Sequence, residues 1–206
     1  MNIGFNETTP AARAANPAPA TPAELDDALL REIARGNQLA LRTLYMRHQV
    51  RVYRFVMRLV RDHALAEDVV SEVFFAVWRQ ADRFKGRSTV STWLLSIARH
   101  KALTALKRPP VEQLDGEMAA EIADPALNPE ARIDRKDNGA MLRRCLDALS
   151  PEHGEMIDLV YYQQKSIKEI AQILGIPSNT VKTRMFYARK RLATLLEAAG
   201  VDCARI

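Results

Sequence analysis

Apolar residues recur at helical spacing along most of the chain. Leu41, Leu44, Tyr45 and His48 fall at i, i+3, i+4 and i+7, and Val52, Phe55, Val56 and Leu59 continue the stripe. Val69, Val70, Val73, Phe74 and Val77 form another, and Trp93, Leu94, Ile97 and Ala98 begin a further one that Leu103 and Leu106 extend. Strand-like alternation is absent, and no proline interrupts the stretch from Glu24 to Lys107. The pattern predicts a helical bundle over residues 24–108. A second helical block is expected over residues 138–200. It opens with Met141, Leu142, Cys145, Leu146 and Leu149 and restarts at Ser150-Pro151, an N-cap and first-turn pair. The expected fold class is all-α, with two small helical domains.

Composition separates these blocks. Residues 8–23 are almost all Ala, Pro and Thr with one charge, Arg13, so burial cannot offset the entropy of ordering them. Residues 1–23 therefore read as a disordered tail, ending at the helix start Thr21-Pro22. Residues 109–137 hold four prolines, and between Val111 and Glu130 lie six acids and no base. This predicts a flexible, extended acidic linker. Residues 201–206 read as a C-terminal tail.

With 48% apolar residues among 206, the chain can bury a core, and its net charge of +5 fits a polyanionic partner. The two cysteines, Cys145 and Cys203, lack metal-ligand spacing and suit reduced thiols in a cytoplasmic protein. No apolar run approaches the ~20 residues needed to span a membrane, and the N-terminus lacks a signal-peptide pattern. The sequence carries no phosphate loop, no dinucleotide fingerprint and no H-E-x-x-H, and its four histidines are scattered. Neither catalysis, nor a cofactor, nor a metal is expected.

The segment 166–192 carries the most specific local signal. Ser166 can cap a short helix with inward residues Ile167, Ile170, Ala171 and Leu174, and Gly175 suits the left-handed backbone that stops it. Ile176 plugs the turn, and Pro177-Ser178 opens a second helix with Ser178 expected as its N-cap. Val181, Met185, Ala188 and Leu192 face inward, while five bases and no acid lie between 178 and 196. An Ala-Gly-Val spacing of four then six residues marks a helix-turn-helix whose second helix enters the major groove. Ser178, Asn179, Thr180, Lys182 and Thr183 are placed to reach base edges, and Arg184, Arg189 and Lys190 to neutralise phosphates. The plainer alternative, a solvated basic helix, needs turn glycine, serine and one-sided charge to coincide by accident.

The first block carries its own basic surface. Residues 79–108 hold eight bases against one acid, Asp82. Phe84 and Trp93 bracket a polar loop, Lys85–Ser91, that contains Gly86. Bases interleaved with rings and hydroxyls suit unpaired nucleotides, although Phe84 and Trp93 also sit at inward helix positions. On the preceding helix, Asp68, Glu72, Phe75 and Arg79 share one face opposite the valines. An exposed Phe beside two acids points to contact with a basic protein. The alternative is a polar face with one stray ring.

Four motifs, AEDVVSEVF (66–74), FKGRS (84–88), TWLLSIARH (92–100) and SNTVKTR (178–184), stand in this order. Together they resemble the extracytoplasmic-function group of sigma factors, over about residues 30–108 and 138–196. The resemblance implies a promoter-recognition factor with core RNA polymerase, promoter DNA and a cognate anti-sigma factor as partners. Asp68, Glu72, Phe75 and Arg79 would dock on the clamp helices of the polymerase's largest subunit, and the polymerase flap is a further expected contact. Lys85, Arg87, Ser88, Thr89, Trp93, Arg99, His100 and Lys101 would open and read the −10 element, and the second helix of the helix-turn-helix the −35 element. The acidic linker would thread a basic channel of the enzyme. Ser71 and His100 stand where the family usually has Gln and Asn, departures able to adjust polymerase contact or −10 preference. Two other readings remain at this level: a sigma-like decoy that sequesters an anti-sigma regulator, and a stand-alone helix-turn-helix regulator.

Overall fold

The computed structural model describes residues 21–107 and 131–200, with side chains from 139 onward in the second span. The tail before 21, the acidic segment up to 130 and the last residues, including Cys203, lie outside the described residues.

The first block forms α1 (Pro22–Ala34), α2 (Gln38–Val60), α3 (His63–Gln80), a 3-10 turn (Ala81–Arg83) and α4 (Val90–Leu106). Each helix starts on a side chain able to satisfy its free N–H groups. Thr21 and Glu24 make a reciprocal capping box on α1, Asn37 caps α2, Asp62 caps α3 and Thr89 caps α4. The predicted stripes then meet. Val52, Phe55 and Val56 of α2, Val69, Val73 and Val77 of α3, and Leu94, Leu95 and Ala98 of α4 are all buried in one core. The inward face of α4 continues through Ala102, one turn after Ala98, so Leu106 is exposed instead of buried as its spacing implied.

One charged cluster lies within this bundle. Asp26 of α1 is 6% exposed and accepts from Arg47 Nε at 2.8 Å, with His48 Nε2 also at 2.8 Å. Burial pushes the His48 imidazole below its ordinary value, and Asp26 opposes the shift. The cluster ties α1 to α2. His48 therefore belongs to the apolar stripe in position, yet has a polar partner.

The second block contains α5 (Ala131–Asp147), α6 (Pro151–Ile157), α7 (Ile167–Leu174) and α8 (Ser178–Ala198), with a π-helical turn over Asp158–Tyr162. α5 starts earlier than the sequence reading placed it, so residues 131–137 of the expected linker are helical. No proline lies between Pro129 and Pro151 to prevent this. Ser150 accepts from His153 N, with Pro151 following it as expected. Met156, Leu159, Ile170, Ile173, Leu174, Val181, Met185 and Ala188 are buried. Ile173 faces inward where Ile167 was expected to, and Ile167 lies exposed at the start of α7.

The described residues contain helices and turns but no strand. α7 packs against α4 and α6 against α2, so the two helical domains touch directly.

Candidate nucleic-acid interface

The helix-turn-helix is built by local chemistry. Ser166 Oγ accepts from Glu169 N at 3.3 Å while Glu169 Oε2 accepts from Ser166 N at 3.0 Å, a capping box that fixes the start of α7. Gly175 ends the helix at φ 67, a left-handed conformation that favours a residue without a side chain. Ile176, half-buried, plugs the turn. The expected cap on α8 is absent: Ser178 is already helical, Pro177 is the flanking residue, and no side chain caps this end. The ring of Pro177 presets the extended-to-helical entry, and its carbonyl accepts from Val181 N at 3.1 Å. Ser166→Ala is therefore expected to cost roughly 1 kcal/mol in thermal or urea unfolding, and Ser178→Ala under about 0.5 kcal/mol. Equal losses would contradict this assignment of caps.

Val181, Met185 and Ala188 bury one side of α8 and turn the other outward. Ser178, Asn179, Lys182, Thr183, Arg189 and Lys190 are exposed, with Thr180 and Arg184 half-buried. The Thr183 hydroxyl donates to Asn179 O at 3.1 Å, and Arg184 lies 3.6 Å from Glu152 of α6. Arg189 sits over the Tyr161 ring, 5.8 Å from its centroid. An open groove of about 770 Å³ runs between α6 and α8, lined by His153, Arg184, Tyr187, Lys190 and Arg191 among others. Three of the five bases expected on this helix, Arg184, Lys190 and Arg191, thus line it beside His153 and Tyr187.

On α3, Phe75 is 62% exposed beside exposed Asp68 and Arg79. The Arg79 guanidinium lies 5.8 Å from its ring, and Glu72 pairs with Lys101 Nζ of α4 at 3.0 Å. That pair joins two sets of residues that the sequence reading assigned to different partners.

In the loop before α4, Gly86 takes φ 65 and Thr89 caps the helix. Lys85, Arg87, Thr89 and His100 are exposed, and Ser88 is half-buried. Phe84 and Trp93 meet in a tilted contact, centroids 5.3 Å apart at 52°, and rest, half-buried, on the core. Both rings thus pack on the core, as their inward helix positions implied.

The remaining groups of this loop and helix meet the C-terminal domain. Arg99 donates to Glu155 Oε1 at 2.7 Å, and Thr92 Oγ1 donates to Glu169 Oε1 at 2.7 Å. Lys165 Nζ donates to Ser91 Oγ at 2.6 Å and to Glu169 at 3.3 Å. Burial pushes the Lys165 amine below its usual value, with Glu169 opposing. Burial also opposes ionisation of Glu169, yet bonds from Thr92, the Ser166 backbone and hydroxyl, and Lys165 hold its carboxyl at about 2. Sequence reasoning missed Glu155, Asp158, Lys165 and Glu169. The Ser166-x-x-Glu169 spacing signals the helix cap, but nothing local signals the partner 77 residues away.

Among the described residues, no group of His, Cys, Asp and Glu is arranged to hold a metal ion. No helix there is long and apolar enough to cross a membrane.

Two family models match the chain, Sigma-70 region 2 over residues 44–109 and Sigma-70 region 4 over residues 139–192. The ECF RNA polymerase sigma factor SigK of Mycobacterium ulcerans is 32% identical over 186 residues, covering 86% of this chain and 98% of the relative. SigK of Mycobacterium tuberculosis is 30% identical over 176 residues, covering 84% and 94%. The RNA polymerase sigma-H factor of Pseudomonas aeruginosa is 29% identical over 187 residues, covering 84% and 95%. Among solved structures, CnrH in complex with the cytosolic domain of CnrY overlays with a TM-score of 0.61 at 25% identity, covering 84% of this chain and 98% of that one. RpoE from Bartonella quintana, solved with the anti-sigma factor NepR, shares the fold at a TM-score of 0.57 and 22% identity, covering 76% and 96%. Two helical domains and a helix-turn-helix whose first helix is bounded by Ser166 and Gly175 stand in a chain matched to its relatives over nearly their whole length, and the chain belongs to the extracytoplasmic-function sigma factors of the sigma-70 family.

Proposed function

We propose that this chain binds core RNA polymerase and directs it to promoters through two separate readouts. The observation that carries the reading is the outward face of α8, where Ser178, Asn179, Lys182, Thr183, Arg189 and Lys190 are exposed. Residues 138–200 read the −35 duplex in the major groove, and residues 24–108 grip polymerase and capture −10 bases as they unpair. The protein acts by binding energy and not as an enzyme, in the cytoplasm. Core polymerase carrying this chain is expected to start transcripts at a discrete set of promoters from the source genome, mapped by sequencing RNA 5′ ends. Absence of any such transcript overturns the proposal.

Asp68, Phe75 and Arg79, with Glu72 beside them, form the polymerase contact. Lys85, Arg87, Ser88, Thr89, Trp93, Arg99, His100 and Lys101 form the −10 contact. Ser71 and His100, both exposed, tune the two surfaces. The acidic segment 111–130 lies in a basic channel of the enzyme, where six carboxylates mimic a nucleic acid. CnrH was solved in complex with the cytosolic domain of CnrY, and the sigma factor RpoE with the anti-sigma factor NepR, which supports control of this chain by an anti-sigma protein. A decoy that only sequesters such a regulator has no use for five bases on a groove-facing helix.

Base and phosphate roles on α8 are separable. Lys182→Ala is expected to change which −35 sequences are preferred, because the residue lies near the N-terminus of α8. Arg189→Ala should weaken all sequences alike and lower the salt slope of binding by roughly 0.9. Binding of polymerase carrying either variant to a −35 library at several salt concentrations checks both. Uniform effects from both changes would reject the division.

A further inference from the structure

α8 presents two exposed aromatic rings in succession, Phe186 at 63% and Tyr187 at 54% exposed. Their centroids lie 5.5 Å apart at 77°, an edge-to-face contact in which each ring orients the other. The core lies on the opposite side of the helix, beneath Val181, Met185 and Ala188. A single exposed ring is ordinary. Two in succession, packed edge to face on a helix with five bases and no acid between Ser178 and Leu196, point to a ligand.

Position on the helix says which ligand. Asn179, Thr183, Phe186 and Lys190 fall at i, i+4, i+7 and i+11, one stripe of α8, and all four are exposed. Phe186 thus shares a face with the first-turn residues proposed to reach base edges. It lies about 10 Å along the axis from Asn179 at about 1.5 Å per residue, the span of roughly three base pairs. A helical side chain covers the turn before its own Cα, which brings the ring toward Thr183 and the inserted end of the helix. Cations flank it, Lys182 and Arg189 on one side, Arg184 and Arg191 on the other. Two cationic edges suit the two phosphate strands that wall a major groove, with the ring between them directed at the bases. Apart from Tyr187, the exposed groups around Phe186 are polar or charged, a poor seat for an apolar protein contact.

The apolar group that a base pair offers in the major groove is the 5-methyl of thymine. We propose that Phe186, oriented by Tyr187, reads a pyrimidine 5-methyl group in the −35 duplex and so sets one position of promoter preference. 5-Methylcytosine carries the same methyl group at the same place, so this contact responds to cytosine methylation as well as to sequence. Phe186 is the specificity-determining residue. Tyr187 is a positioning residue, acting through the ring it packs against. The inference rests on the duplex readout proposed for α8 and names the chemistry of one of its contacts.

The test measures binding of core polymerase carrying the full chain to fragments of a promoter at which it starts transcripts. Each thymine of the −35 element, on either strand, is replaced in turn by uracil, which lacks only the methyl group. At one position, or at two adjacent ones, uracil should weaken binding about fourfold, the effect of one buried carbon. A cytosine–guanine pair placed there should bind more weakly still, and 5-methylcytosine should recover about fourfold. Phe186→Ala should abolish both methyl effects while leaving the thermal melt of the free chain unchanged, because the ring is exposed. Tyr187→Ala should shrink the methyl effect, and Tyr187→Phe should restore it. Equal binding of thymine and uracil at every position overturns the inference, as does a methyl effect that survives Phe186→Ala. Weaker binding of Phe186→Ala to core polymerase without DNA assigns the ring to a protein contact and overturns it too. Absence of any promoter binding removes the α8 readout and this contact together, whereas promoter binding blind to the methyl group removes this contact alone.

Discussion

Phe75→Ala is expected to weaken binding to core RNA polymerase at least about thirtyfold while leaving the fold of the chain unchanged. The two halves of that expectation come from one number. Phe75 is 62% exposed on a helix whose other side, Val69, Val70, Val73 and Val77, is buried, so truncating it removes little from the core. An aromatic ring left in water is instead available to a partner. When such a ring becomes the desolvated centre of an interface its loss typically exceeds ~2 kcal/mol. The surrounding charges have a different role. Asp68 is exposed, so Asp68→Ala should mainly slow association and flatten its salt dependence. Glu72 is a poorer probe, because it holds Lys101 at 3.0 Å and its removal disturbs α4 too. Fluorescence anisotropy of labelled chain titrated with core enzyme reads affinity, and a thermal melt of free chain reads the fold. Undiminished affinity would place the polymerase contact elsewhere.

Much of this arrangement was legible in the residues because it is local. Asn37 and Thr89 begin helices through their own side chains, and Gly175 stops one by its backbone conformation. Stripe residues such as Val73 and Leu94 announce a buried face without revealing what covers it. The misreadings have local causes as well. Ser178 follows a proline whose fixed φ already sets the helix entry, so the helix begins one residue earlier than a serine cap would have it. Ile167 obeys the i, i+3 spacing with Ile170 but sits at the first turn of α7, where the core does not reach; Ile173 lies beneath instead. What no periodicity could supply is the contact between domains. Arg99 and Glu155 are 56 positions apart, and each taken alone reads as a surface charge. The same holds for Asp26 and His48, 22 apart, where a histidine on an apolar stripe conceals an ionic clasp. Sequence reasoning found the surfaces that face outward and missed the partner those surfaces have within the chain.

Phe55→Ala should produce the largest loss of stability in the N-terminal domain, about 3–5 kcal/mol. The ring is 1% exposed and is the largest fully buried side chain described, set in the α2 stripe between Val52 and Val56. Its removal forfeits apolar burial and leaves a cavity that α3 and α4, held by their own valine and leucine contacts, can only partly fill. A domain of some 85 residues has on the order of 4–13 kcal/mol in total, so the melting temperature should fall by well over 10 °C. Phe55→Leu, which keeps most of the volume, should cost less than half as much. The functional consequence follows from position. α3 carries Phe75 and Asp68, α4 carries Arg99 and Lys101, and the buried face of α2 sets their separation. Loosening that face should therefore impair polymerase binding and −10 capture together, without touching either surface. α8 rests on its own buried residues, Val181, Met185 and Ala188, so the duplex binding proposed for it should survive. Circular dichroism melts paired with separate −35 duplex and core-polymerase binding assays test this. Equal loss in both assays would mean that the two domains fold as a single unit.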